Sequence, residues 1–152
     1  MQNGLQEYIL TTRSLLGHLG AGSLLVSALL FPQHVALAAD HCKGVDTKLT
    51  TQRKSDYAKL VATSLDQNVK PSKINIEDFM RSGTWTVVFA EVPVAAPGYF
   101  FFDSSSGKPV FKEVWGGIAG KDEIPEITKW ARDLGANKTI ASCFAETVAV
   151  AE

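Results

Sequence analysis

Thr84-Trp-Thr-Val-Val-Phe-Ala-Glu-Val92 decides the reading of this chain. Trp85, Val87 and Phe89 fall on one face of an extended segment, and Thr84, Thr86, Val88, Ala90 and Val92 on the other. A period of two, carried by β-branched and aromatic residues, predicts a strand. Downstream, Tyr99-Phe-Phe-Phe-Asp103 is apolar on both faces, which predicts a central, covered strand. Pro93-Val-Ala-Ala-Pro-Gly98 between them is a loop by its prolines, and Ser104-Ser-Ser-Gly107 reads as a hairpin turn. Pro109 to Trp115 supplies a third strand, with Val110 and Lys112 on one side and Phe111 and Glu113 on the other. Upstream, Lys73-Ile-Asn-Ile-Glu77 alternates over a short strand, and Arg81-Ser82-Gly83 predicts a turn.

Helical patterns flank this meander. From Thr50 to Leu65 the apolar residues Tyr57, Leu60, Val61 and Leu65 recur at helical spacing, with Leu49 two turns before Tyr57. Gln52, Arg53, Lys54, Asp56 and Lys59 take the wet side, and Asn68 and Pro71 end the segment. Gly116-Gly-Ile-Ala-Gly120 is a link. Pro125 suits the first turn of a helix reaching Leu134, with Ile127, Trp130 and Leu134 inward and Gly135 as its C-cap. A last helix, Lys138 to Val148, puts Ile140, Cys143, Phe144 and Thr147 on one stripe. The expected fold is α+β: an N-terminal helix, an antiparallel three- or four-stranded meander, and two C-terminal helices. All helices pack on one face, as a two-layer sandwich.

The aromatic strands of the meander, with the Asp103 to Gly107-Lys108 hairpin, resemble the small secreted PepSY-type domains. Some of those inhibit or bind other extracellular proteins. The likeness covers the meander alone, rests on pattern, and carries no functional residue across.

Residues 1–38 read as a secretory leader. Arg13 precedes an uncharged apolar run, Pro32 breaks it, and Ala36-Leu37-Ala38 is a small-x-small cut site. The apolar stretch Leu19 to Phe31 is shorter than the roughly 20 residues that cross a bilayer core. Cleavage after Ala38 leaves residues 39–152 as a single domain in the periplasm or outside the cell, with no membrane segment. Its net charge stays at −1, as for the whole chain, because Glu7 and Arg13 leave together. Scattered Lys and Arg argue against nucleic acid, whose backbone demands clustered positive charge.

Cys42 and Cys143 are the two cysteines of the chain. In an oxidising compartment they are expected to pair, and no Cys-x-x-Cys motif supports redox turnover. Closing a loop of about 100 residues is worth about 4.7 kcal/mol in a chain-entropy model.

His41 is the one histidine that survives cleavage. Histidine is the usual base near neutral pH, and hydrolytic zinc sites draw on two or three, so a serine hydrolase or zinc enzyme is not expected. A terminus Ala39-Asp40-His41 offers an amine, two amides and an imidazole, a square plane of four nitrogens suited to Cu(II) or Ni(II). Glu91, Asp103 and Glu113 lie near strand ends, where two carboxylates could approach for acid–base work on a sugar. No glycine-rich loop carries the residues that cradle phosphate, so no nucleotide cofactor is expected.

The loops Pro93–Gly98 and Gly116–Gly120 are apolar and nearly uncharged, and they flank aromatic strands. An exposed apolar edge of this kind marks a partner site. Pro93, Val94, Pro97, Tyr99, Trp115 and Ile118 are therefore the candidate binding residues. The expectation is a non-enzymatic exported protein that recognises or inhibits another extracytoplasmic protein. The alternative is Cu(II) or Ni(II) binding through Ala39, Asp40 and His41.

Overall fold

The computed structural model describes residues 41–149. The leader, its cut site, and Ala39 and Asp40 of the metal motif lie outside them. The described residues all belong to one compact unit. Their elements run α1 (Thr51–Ser64), β1 (Asn75–Ser82), β2 (Trp85–Glu91), β3 (Gly98–Asp103), β4 (Val110–Trp115), α2 (Ile124–Asp133) and α3 (Lys138–Val148). The strands form one antiparallel sheet in the order β1-β2-β3-β4. The α+β class, the meander and the flanking helices are those expected.

The layering is not. Trp85, Val87 and Phe101 pack with Ile127, Ala131, Ile140 and Phe144 of α2 and α3. Val88, Ala90, Phe100 and Phe102 pack with Tyr57, Ala58 and Val61 of α1. Successive strand residues point to opposite faces, so α1 packs on one face and α2 with α3 on the other. The sheet is the middle of three layers, and the expected two-layer sandwich with every helix on one face is corrected. The cause is visible in Phe100-Phe101-Phe102: each face of the central strand carries buried aromatic surface, 3% exposed or less, and each needs a cover.

Two β-bulges also move side chains from their expected faces. Ile76 pairs with Ala90 and Asp78 with Phe89, leaving Glu77 as the extra residue of β1. Phe102 pairs with Phe111 and Phe101 with Glu113, leaving Lys112 as the extra residue of β4. Each bulge breaks the period of two. Ile76 and Phe79 thereby share the α1 core in spite of their odd spacing. Phe111 and Glu113, expected on one side, fall on opposite faces. The same break hid the second half of β1, which runs to Ser82 rather than stopping near Glu77.

The chain reaches both faces by passing round the β1 edge. Cys42 is bonded to Cys143 of α3, with 4.6 Å between their Cα atoms. Asp46 then pairs with Arg81 across the edge, and Leu49 enters the α1 core. Arg53 fixes the passage from α1. Its guanidinium lies 2.6 Å from Asp46 Oδ2, donates to the Lys48 carbonyl, and sits 4.2 Å from the centre of the Phe79 ring. Among the described residues no helix is long and apolar enough to cross a membrane.

Local signals set the helix ends. Thr50 Oγ1 accepts the Arg53 N–H at the start of α1. Gly135, at φ +99, closes α2: its N–H reaches the Arg132 carbonyl, and the Ala136 N–H reaches that of Ala131.

Candidate functional site

α1 packs chiefly over β1 and β2, which leaves part of β3 and β4 open on that face. A groove of about 720 Å³ results, within the size range of ligand clefts. Phe100, Phe111 and Val114 line its sheet side, Leu65 and Asp66 the end of α1, and Ala95 to Gly98 the β2–β3 loop. Gly98 permits this shape. A Cβ there would lie 2.9 Å from Val114 Cγ2 and 3.0 Å from the Trp115 carbonyl oxygen, so only glycine lets β4 come this close.

A smaller cleft, about 280 Å³, lies on the α2 side, lined by Trp115, Ile118, Ile127, Trp130, Glu123 and Glu126. Gly116 and Gly117 line both clefts. The two apolar loops meet there: a Cβ on Gly116 would stand 3.8 Å from the Pro97 carbonyl oxygen. The second loop is pinned by Ala119, which is buried and bridged to Ala149. That anchor leaves Ile118 projecting, 87% exposed.

The six candidate binding residues therefore divide. Pro93 and Val94 are exposed on the β2–β3 loop but line neither cleft, Pro97 lines the larger one, and Trp115 and Ile118 line the smaller. Tyr99 and Trp115 are half-buried and tied into the α3 core, with ring centres 5.4 and 5.6 Å from that of Phe144. Burial, and secondarily the Asp78 carboxylate, raises the Tyr99 phenol above its usual pKa. Sequence reasoning missed Phe100, Phe111 and Val114 as site residues. Val114, 41% exposed, carried no sequence signal, because the bulge at Lys112 sets which face it takes.

Of the three carboxylates, two of which were expected to be able to approach, Glu113 opposes Phe101 of β3. Glu91 and Asp103 end opposite ends of the sheet, opposing Asn75 and Trp85 respectively. Asp103 serves the β3–β4 turn: the Ser105 hydroxyl donates to it at 2.6 Å and the Ser105 backbone N–H at 3.1 Å. These bonds, the hydroxyl first, and one from Thr84 hold its carboxyl below the usual range. Among the described residues no three His, Cys, Asp or Glu side chains gather as a metal cage. His41 is exposed, its Nε2 3.4 Å from Thr147 Oγ1. The amine and amides that would complete its square plane belong to Ala39 and Asp40, outside the described residues.

No family model, curated protein or solved structure matches the chain.

Proposed function

We propose that this chain is a small exported protein that works by binding. It recognises, and by occupying it inhibits, another extracytoplasmic protein through the sheet end where loops 92–98 and 116–120 meet. One observation carries the reading. Helices pack on both sheet faces, yet of the four large apolar residues left exposed among the described residues, Val94, Val114 and Ile118 lie in these two loops or at the adjoining end of β4, with Val110 at the other end of that strand. Leaving such residues in water has no folding benefit, and apolar groups beside clefts are what partner surfaces are made of. The leader pattern of residues 1–38 and the Cys42–Cys143 bond support a periplasmic or secreted location.

A photo-crosslinking amino acid placed at Val94 or Ile118, in the cells that produce the protein, tests this. Both positions should yield one discrete adduct of the same mass, while Lys73, outside these loops, yields none. Absence of adducts from both positions, or equal labelling at Lys73, would sink the reading.

A further inference from the structure

We infer that the larger groove receives an apolar side chain that its partner presents beside a positive charge. This rests on the protein-binding reading above and adds the chemistry of what enters. Phe100, Phe111 and Val114 give the groove an apolar floor that a large aliphatic or aromatic side chain would cover. The charged residues among those lining it are Asp66 and Glu113, both carboxylates; Glu113 opposes Phe101 on the other face, but its carboxylate is folded back at the β4 edge onto the Val114 N–H. Two donors nearby are already engaged. Ser64 donates its hydroxyl to the Val61 carbonyl, and the Val114 N–H is held by Glu113 Oε1 at 3.0 Å. A negatively charged segment would thus meet two like charges, whereas a lysine or arginine beside the entering residue would meet two opposite ones.

The β4 edge determines how the partner approaches. Its bulge at Lys112 and the carboxylate folded onto the Val114 N–H interrupt the row of backbone groups that an added strand would need. The partner therefore offers a side chain to the groove rather than a strand to the edge.

Two blocked peptides test this against the isotopically labelled protein, recovered with its disulfide formed. One carries Phe-Leu between two lysines; the other has glutamates in their place. The lysine peptide should shift the amide resonances of Gly98, Val114 and Gly116. It should bind about fivefold more tightly than the glutamate peptide, the scale of two partly exposed ion pairs. Asp66→Asn with Glu113→Gln should abolish that preference, since the side-chain amide introduced by the second change keeps an acceptor for the Val114 N–H. Equal binding of the two peptides, or a preference that survives the double variant, would overturn the charge assignment. Shifts confined to Val94 and Ile118 would remove the groove while leaving the loop reading intact. Failure of crosslinking at those two positions would remove both.

Discussion

Cys42 and Cys143 are bonded across a sequence separation of 101, and Cys143 is wholly buried in α3, its Sγ 3.6 Å from Met80 Sδ. The bond joins the start of the described chain to its last helix, so nearly all of the described residues lie within one covalent loop. Loop closure of that length restricts the unfolded ensemble strongly, and removing such a bond from a small domain costs about 2–5 kcal/mol. Replacing both cysteines with serine should lower the urea midpoint accordingly, and reducing the parent protein should reproduce the loss. An unchanged midpoint with both thiols alkylated would show that the helical packing alone holds the termini.

The Asp46–Arg53 pair makes stability depend on pH in a defined direction. Hydrogen bonding to Arg53, then to the Lys48 N–H, lowers the Asp46 carboxyl to about 2. A carboxyl whose folded pKa lies below its unfolded value binds fewer protons when folded. Its contribution is therefore complete above the unfolded value of about 3.9 and disappears as pH falls towards 2. Asp46→Asn should be less stable than the parent at pH 7, and most of the gap should be gone at pH 2, where the folded carboxyl is half protonated. Denaturant titrations of both proteins at pH 7, 4 and 2 measure it. A gap of constant size across that range would mean the pair does not couple to folding.

Element types were legible wherever a period survived. Tyr57, Leu60 and Val61 announce α1, and Ile140, Cys143 and Phe144 announce α3, because each helix buries one stripe. The layering was not legible. Phe100-Phe101-Phe102 implies two covered faces, but which helix takes which face depends on the route of residues 42–49 round the β1 edge, and no local pattern encodes a route. The candidate site was half legible for a similar reason. The loops Pro93–Gly98 and Gly116–Gly120 stand out by composition. The groove arises because α1 covers β1, β2 and only part of β3 on that face and because Lys112 is bulged, both matters of tertiary placement.

Asn137 joins α3 to the β1–β2 hairpin with a single side chain. Its Oδ1 accepts the Ile140 N–H at 3.1 Å as the helix N-cap, and its Nδ2 donates to the Ser82 carbonyl at 2.7 Å. Losing a cap of this kind costs about 1–2 kcal/mol. Asn137→Ala should show the full loss, and Asn137→Asp, which keeps the acceptor but not the donor, an intermediate one. Thermal unfolding of the three proteins side by side reads the difference. If the aspartate variant melts with the parent, the Ser82 bond adds nothing and the cap accounts for the whole effect.

Both edge strands are blunted in the same manner, and this yields a prediction about association rather than stability. β1 has its bulge at Glu77, and Asp78 Oδ1 accepts the adjacent Phe79 N–H at 2.7 Å. β4 has its bulge at Lys112, and Glu113 Oε1 accepts the adjacent Val114 N–H at 3.0 Å. In each case a carboxylate occupies a donor that a foreign strand would otherwise use, and it brings a charge to the edge that repels its own copies. Asp78→Ala with Glu113→Ala should free both donors. Its effect at Glu113, an exposed position, should stay within about 0.5 kcal/mol; its effect on association should be larger. Sedimentation over a concentration series should show the double variant associating where the parent stays dispersed. Asp78→Asn with Glu113→Gln should fall between the two, because an amide oxygen recovers the hydrogen bond without the charge. Identical sedimentation of parent and alanine variant at every concentration would show that the bulges, with the Asp46–Arg81 bridge on β1, protect the edges without the carboxylates.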